Sequence, residues 1–399
     1  MRFLPFLVLL FSLKANAQYL KPGQWRGVIH YTEQDVPFTF EVSYPNGTTP
    51  RLTFINGQER RDMDQVKWRN DSVHVLLEPF DVELKASVTA MSMSGVYVKN
   101  YRNTSYPFSA EFGANRLRKK SVRPSTNLGK RWDMTFEEGT NSESKGVGLF
   151  KQIGGKVYGT IMTRTSDYRY FEGIMDGDSI KLTSFDGAHA FMILGKKVDG
   201  NWFGSFIFDE GYQEKWIAIP DDDVELEDPF EIVQLEKGKH KPYYDLLGAG
   251  SGKNVVNPAN YLGKVLIIQL FGTWCPNSHD QTKYLVNWSE TKMPEGVEIL
   301  ASSYEANYSQ EYGLKRIEDY RKQNSIPYEV VLGGRLSKNA AAMPFPFMDR
   351  IEAFPTLVIV DKQGYARYVH SYFNGPATGT YYEMFDQRFN EIINKLISE

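Results

Sequence analysis

Apolar and polar residues alternate over short segments in the first half of the chain, and residues typical of turns separate these segments. A period of two is the pattern of a β-strand with one buried face. Asn46-Gly47 and Asn56-Gly57 are strong signals for hairpin turns. The segments that predict strands are 25–31, 38–44, 51–55, 72–77, 82–84, 94–98, 132–136, 146–150, 157–161, 170–174, 178–182 and 202–208. The pattern therefore predicts an all-β region over residues 18–222, built as a barrel or a sandwich.

The later part of this region repeats an order of features found in the earlier part. The earlier series is a strand-like segment at 71–75, the pair Phe80-Asp81 and a second strand-like segment at 95–98. The same three features follow in the same order at 178–182, Phe185-Asp186 and 202–208. This order predicts two meander units of about 100 residues each, with the general likeness of any two meanders as the alternative. The many aromatic side chains of the region are predicted to fill its core rather than to line a ligand pocket. They include Trp25, Tyr97, Phe150, Tyr158 and Trp202.

The second half of the chain alternates strand-like and helix-like segments, which is the pattern of a sheet with helices packed on it. An acidic stretch, residues 221–228, precedes it and is typical of a solvated linker. Residues 223–260 are therefore assigned to a linker and lead-in, in which 230–235 predicts a strand or an extended arm, and residues 261–399 to an α/β domain. The predicted strands are 265–271, 297–302, 328–332, 354–360 and 365–369, and the predicted helices begin at Pro276 or span 312–324, 336–343 and 379–397.

Cys275 is predicted to lie where a buried strand turns into a helix. The apolar run 265–271 ends at Gly272, and Pro276 suits the first turn of a helix because its missing N–H would be unpaired there. The free N–H groups and the positive end of that helix would stabilise a thiolate at Cys275. Cys275 is the single cysteine of the chain, so no internal disulfide is expected.

The segment Trp274-Cys275-Pro276-Asn277-Ser278 resembles the W-C-x-x-C active site of the thioredoxin superfamily. Together with the approach Tyr261-Leu262-Gly263-Lys264-Val265 it is most similar to the TlpA/ResA-type exported disulfide reductases, and the resemblance spans roughly residues 228–399. Phe354-Pro355-Thr356 is similar to the family's cis-proline site. The resemblance implies an α/β thioredoxin-like domain with Cys275 as the nucleophile, and a site shaped by Trp274, Pro276, Asn277, Ser278, Phe354 and Pro355.

The chain departs from this family pattern at Ser278, which occupies the position of the second cysteine. A dithiol reductase uses that second thiol to release its mixed disulfide, and a hydroxyl does not attack sulfur usefully near neutral pH. Gln269 also stands where thioredoxins carry a buried acid. The chain alone is therefore not expected to cycle as a dithiol reductase.

Three functions remain open at this stage. The favoured one is a monothiol protein, in which Cys275 exchanges with protein or small-molecule thiols and disulfides and an external thiol resolves the product. The alternative is a non-catalytic thioredoxin-fold binding module whose β-rich domain engages a partner. A peroxidase-like thiol is disfavoured, because Gly272 occupies the threonine position of its T-x-x-C signature. His279 could stabilise the thiolate, but an exposed place in the first helical turn is favoured.

Residues 1–17 predict a secretory signal, which implies a periplasmic or secreted protein. Arg2 supplies the positive start, residues 3–13 the apolar stretch and Ala15-Asn16-Ala17 the cleavage site. No later apolar run reaches the ~20 residues of a membrane span. A net charge of −3 gives no basic excess for nucleic acid.

No metal or other cofactor is expected from the sequence. His30, His74 and His189 lie singly, without metal-ligand spacing. With 41% hydrophobic and 14% aromatic residues, the chain can build packed cores and is not of a disordered class.

Overall fold

The structure is a computed structural model that describes residues 19–63, 65–78, 80–118, 123–208, 211–233, 235, 240–248, 256–307, 309–348 and 350–399. The predicted signal segment lies outside these residues. The described strands form two sheets of nine strands and one sheet of five. Within the described ranges, no helix combines the length and the apolar character needed to cross a bilayer.

The first β unit, residues 19–118, is a nine-stranded antiparallel meander. Its strands are β1 (Gly23–His30), β2 (Asp35–Ser43), β3 (Arg51–Asn56), β4 (Glu59–Met63), β5 (Val66–Arg69), β6 (Ser72–Leu77), β7 (Val82–Val88), β8 (Ser92–Lys99) and β9 (Thr104–Phe112). Their order in the sheet is β4-β3-β2-β1-β9-β8-β7-β6-β5. The hairpin predicted at Asn56-Gly57 is confirmed, since Asn56 pairs with Glu59 across a turn in which Gly57 has φ +56°.

The second β unit, residues 123–220, closes into a barrel. Its strands are β10 (Arg131–Phe136), β11 (Ser144–Ile153), β12 (Lys156–Thr163), β13 (Ser166–Asp167), β14 (Phe171–Asp176), β15 (Ser179–Phe185), β16 (Ala190–Val198), β17 (Asn201–Phe208) and β18 (Tyr212–Pro220). The barrel closes because β11, the first strand in the sheet order, pairs with its neighbour β10 and also with β12 near the far end of that order. Trp132 stacks on Trp202 with ring centroids 5.0 Å apart, and Trp202 and Phe150 are buried as predicted. The prediction is wrong for Tyr158, which is only half-buried.

The two β units resemble each other in how the first strand is paired and in a tryptophan hydrogen bond at its start. In each, the first strand pairs with both the second and the last strand. The indole N–H of Trp25 donates to the carbonyl of Lys21 at 2.9 Å, and that of Trp132 donates to the carbonyl of Leu128 at 2.8 Å. Each β unit is thus a sheet of nine strands, and the internal repeat stays a prediction.

The α/β unit, residues 256–399, has a mixed five-stranded sheet. Its elements are β19 (Val265–Phe271), α1 (Pro276–Thr291), β20 (Val297–Glu305), α2 (Gln310–Gln323), β21 (Glu329–Arg335), α3 (Lys338–Ala342), β22 (Thr356–Val360), β23 (Ala366–His370) and α4 (Thr380–Ser398). The order is β21-β20-β19-β22-β23, with β19 parallel to β20 and antiparallel to β22. All residues of β19 are buried. Val265 and Ile267 enter the core under α1, α2 and α4, whereas Leu266 and Ile268 enter the core on the opposite face.

Two sequence expectations are wrong in detail. The segment from Phe230 forms turns and bends rather than a strand, because the Phe230 ring packs against His370 and Phe385 and takes the chain onto α4. The helical spacing of Tyr381, Phe385, Phe389, Ile392 and Leu396 predicts one buried stripe on α4. The last four are buried, but Tyr381 is only half-buried. The sequence pattern also missed β4, β5, β9, β13, β16 and β18 as separate strands.

Candidate functional site at Cys275

Cys275 lies at the predicted strand-to-helix corner. It is the N-cap of α1, and its backbone N–H donates to the carbonyl of Gly272 at 3.1 Å. The peptide bond between Phe354 and Pro355 is cis, as the resemblance predicts. The thiol Sγ donates to the carbonyl oxygen of Phe354 at 3.6 Å, so the cysteine and the cis-proline segment are in contact. The indole N–H of Trp274 donates to the carbonyl of Tyr304 at 2.9 Å and fixes the residue before the cysteine.

The thiol of Cys275 is held in its protonated form. Its residue is 8% exposed, and this burial raises the pKa of the thiol. The Ser278 hydroxyl and the N–H groups of Ser278 and Asn277 lower the pKa and the Asp186 carboxylate raises it, and the net shift is upward. The expectation of a stabilised thiolate is therefore wrong. The N–H groups of the helix end are in place, but the loss of hydration on burial destabilises the thiolate more than they stabilise it.

Ser278 does not replace a resolving thiol, and Gln269 does not replace a buried acid. Ser278 is fully buried and its hydroxyl accepts from the N–H of Gly272 at 3.4 Å. Gln269 is also buried, and its amide donates to Gln281 at 3.1 Å and to Thr282 at 3.2 Å. The position at which the family carries an acid thus belongs to a neutral hydrogen-bonded network, which offers no proton acceptor of carboxylate strength to the thiol.

His279 is buried, which corrects the expectation of an exposed place in the first turn of α1. It is 6% exposed and makes edge-to-face ring contacts with Phe80 at 5.7 Å and Tyr320 at 6.0 Å. Burial, with the nearby charges of Arg61 and Lys283, holds the pKa of His279 well below its usual range. The helix end is covered because the first β unit packs on it, and the neutral ring gives the thiol no cationic partner.

A loop of the second β unit covers the face of the α/β unit that bears the cysteine. We call residues 165–169, between β12 and β14, the capping loop. The Asn277 side-chain N–H donates to the carbonyl of Asp167 at 2.9 Å, and the Gly375 N–H donates to the Asp167 carboxyl at 2.7 Å. The Phe373 N–H donates to the Ser166 hydroxyl at 3.2 Å. These bonds join the barrel to the segments on both sides of the thiol.

A buried group of four charges, one of which is Arg169 of the capping loop, fastens the three units together. Arg169 pairs with Asp280 of α1, and its guanidinium lies 2.5 Å from the carboxylate of Glu59 in β4. Arg61 lies 3.4 Å from Glu59 and 3.7 Å from Asp280. Burial alone raises the pKa of Glu59, but the two guanidinium groups lower it to about 2. Each charge has an opposite partner, as buried ions require.

A cavity of about 390 Å³ remains between the capping loop and the thiol. Cys275 and Asn277 form part of its wall, and Arg102, Asp186 and His189 lie on the side of the β units. Asp186 accepts from the N–H groups of Ala188 and His189 at 2.8 and 2.7 Å. Burial raises the pKa of Asp186, whereas His189 and Arg169 lower it to about 2, so the carboxylate is ionised and held inside the fold.

The structure brings some predicted site residues to the cavity and not others. Cys275, Pro276 and Asn277 line it, whereas Ser278 lies buried behind the thiol. Phe354 touches the thiol through its carbonyl, ahead of Pro355, and Trp274 packs between the cores of the first β unit and the α/β unit. Among the described residues, no group of three or more His, Cys, Asp or Glu side chains could hold a metal ion.

Sequence analysis did not identify the residues that close the site, namely Glu59, Asp167, Arg169 and Asp280. The available signal was the polar connection between the strands predicted at 157–161 and 170–174, which contains Ser166, Asp167 and Arg169. Such a connection is ordinary in a meander. Its role depends on docking with Asn277, which is separated from Asp167 by 110 positions in the chain.

Comparisons with known proteins found likeness at the level of structure. No family model and no curated protein matched the sequence. A thioredoxin-family thiol:disulfide interchange protein from Chlorobium tepidum is 19% identical, and the match covers 41% of this chain and 99% of that chain with a TM-score of 0.31. A secreted thiol-disulfide isomerase from Corynebacterium glutamicum is 16% identical over 44% of this chain and 98% of that chain, with a TM-score of 0.31. A DsbF homologue from Corynebacterium diphtheriae is 16% identical over 41% and 98% of the two chains, with a TM-score of 0.29.

Proposed function

We propose that this chain is an exported, thioredoxin-like, TlpA/ResA-related binding protein that does not turn over as a dithiol reductase, and that its ligand occupies the cavity at Cys275. The observation that carries the proposal is the closure of the cysteine-bearing face by the capping loop. Asp167 and Ser166 bond to Gly375, Phe373 and Asn277 around the thiol. The signal-like residues 1–17 support export.

Closure of this face decides the size of the ligand. A protein disulfide has to bring its sulfur against Cys275 and lay its backbone beside the cis-proline segment, and the capping loop lies across that approach. The space left is about 390 Å³, within the usual range of pockets for small molecules. The ligand is therefore a small molecule, and protein substrates reach the thiol only if the barrel undocks.

Monothiol exchange is the second candidate, and one observation favours it. Cys275 forms part of the cavity wall, with the N–H groups of Asn277 and Ser278 directed at its sulfur. The thiolate would attack one sulfur of a small disulfide, form a mixed disulfide and release one thiolate. An external thiol would then reduce the mixed disulfide and restore Cys275. The raised pKa of the thiol opposes the first step, because only the thiolate attacks.

Thiol trapping separates the two candidates. The full-length chain and its Cys275→Ser variant are incubated at neutral pH with oxidised glutathione, and adducts are measured by mass spectrometry and on non-reducing gels. The binding protein keeps Cys275 free over the time in which an unfolded control of the same chain reacts. A rapid adduct that is lost with reductant, and is absent from Cys275→Ser, would support monothiol exchange and overturn the non-catalytic proposal.

A further inference from the structure

A second groove, separate from the cavity at Cys275, lies on the outer side of the second β unit. It has a volume of about 590 Å³ and runs between the hairpin tip at Gly57, the strands β11 and β12, and the first turn of α4. None of the residues that line it lines the cavity at Cys275. All three units therefore contribute to its wall, so the groove exists only in the docked chain.

The charge of this groove has one sign. Lys130, Arg131 and Lys151 line it, and its lining contains no aspartate or glutamate. Arg131 is partly neutralised by Glu225, 3.6 Å away. In the part of the chain that the structure describes, the ammonium groups of Lys130 and Lys151 have no carboxylate or hydrogen-bond partner. Two unpaired cations at one groove favour an anionic occupant.

The remaining wall of the groove is aromatic and apolar. Tyr158, Tyr170 and Tyr381 line it and are half-buried, and Ile153 stands at its rim with 57% of its surface exposed. The Tyr381 hydroxyl oxygen is buried without a hydrogen-bond partner, and its ring lies 5.5 Å from the guanidinium of Arg131. Aromatic faces bind flat apolar rings, and an unpaired buried hydroxyl is satisfied by a polar ligand atom.

We propose that this groove binds a small aromatic anion. The aromatic ring of the ligand is held against the tyrosine side chains, and its carboxylate, sulfonate or phosphate group is held by Lys130 and Lys151. The absence of acidic residues from the lining excludes organic cations on charge, and the aromatic wall disfavours simple inorganic anions, which gain nothing from it. The inference does not depend on the function proposed for Cys275.

A pair of fluorescent probes with the same aromatic body tests the charge requirement. Anilinonaphthalene sulfonate carries the anion, and N-phenylnaphthylamine lacks it. Both are titrated into the full-length chain, into the Lys130→Gln/Lys151→Gln variant, and into Lys67→Gln, a control at an exposed lysine of β5. We expect the double variant to weaken sulfonate binding by about tenfold, or about threefold per lysine, as for two partly exposed ion pairs. Binding of the neutral probe, and both affinities of the control, should stay unchanged.

Two results would overturn the proposal. An unchanged affinity of the sulfonate in the double variant would place its site elsewhere on the chain. An equal loss for both probes would show that the lysines support the apolar wall and do not select an anion. Since both lysines are exposed, the fold should survive, and a thermal melt of each variant checks this. The titration is repeated with Cys275→Ser, and unchanged affinities there show that the thiol does not contribute to probe binding.

Discussion

The capping loop predicts a large change in the reactivity of Cys275 when one carboxyl group is removed. In Asp167→Ala the Gly375 N–H loses its acceptor, which lies at 2.7 Å, and the N–H of Arg169 inside the loop loses another at 2.7 Å. The Asn277 side chain loses its longer bond to the Asp167 carboxylate, at 3.4 Å, but keeps its bond to the Asp167 backbone carbonyl at 2.9 Å. The substitution therefore weakens the docking of the loop without changing any group that touches the sulfur.

The expected increase in the labelling rate follows from the hydrogen bond between the Gly375 N–H and the Asp167 carboxyl. Leaving a buried donor without its acceptor costs about 1–3 kcal/mol. The Gly375 N–H is buried, so water does not at once replace the lost acceptor. If Cys275 reacts with large reagents only when the loop is undocked, the undocked fraction and the rate rise by the same factor. A weakening of about 1–3 kcal/mol corresponds to roughly a 5- to 100-fold faster reaction.

The assay is labelling of the native full-length chain with a polyethylene glycol maleimide, followed on gels by the increase in mass. Asp167→Asn is the matched control, because its amide oxygen can still accept from Gly375 and should leave the rate within a few fold of the wild type. Asp223→Ala, at an exposed acid outside the interface, controls for net charge. Thermal melts establish that each variant is folded at the labelling temperature.

Equal labelling rates for folded Asp167→Ala and the wild type would rule out this role of the Asp167 carboxyl. The capping loop would then not limit access to the thiol. Equal acceleration in Asp167→Asn and Asp167→Ala would also contradict it, because the lost acceptor would not be the cause.

Three further predictions rest on other parts of the structure. The pKa of Glu59 is lowered to about 2 from its ordinary ~4.3, so the stabilisation that Glu59 gives to the docked units is present above pH ~4.3 and is lost as the pH falls towards 2. The rate at which dithiodipyridine labels Cys275 should therefore rise as the pH falls through this window, and Glu59→Gln should remove this pH dependence. Ser278→Cys should form a disulfide with Cys275 under oxidising conditions, yet insulin reduction should appear only when Asp167→Ala is added; both thiols remaining free would show that the corner lacks the family geometry. Trp132→Ala should lower the free energy of unfolding by about 3–5 kcal/mol in chemical denaturation, because the ring is fully buried against Trp202.

The elements that the sequence predicted well are those whose signal is local. The run that becomes β19 is apolar throughout because both faces of a central strand are buried. The turn at Asn56-Gly57 and the corner before Pro276 follow from backbone preferences of single residues. The cis peptide before Pro355 was identified from a short motif. None of these depends on how distant parts of the chain dock.

The features that the sequence did not reveal are those that arise from docking. His279 was predicted to be exposed in the first helical turn and Cys275 to be stabilised as a thiolate, but both residues are buried because β units cover that helix end. Asp167 and Arg169 looked like ordinary polar residues of a hairpin connection, and their partners lie more than a hundred residues away. Periodicity reports which face of an element is buried, but it does not report which surface of another unit buries the end of that element.

The rate of alkylation of Cys275 against pH, measured with iodoacetamide on the native full-length chain, tests the central claim most directly. Because burial favours the protonated thiol, we expect an apparent pKa above the ~8.5 of a free cysteine and a rate below that of the unfolded chain at every pH. An apparent pKa well below ~8.5, with a rate that levels off near neutral pH, would instead establish Cys275 as an activated nucleophile.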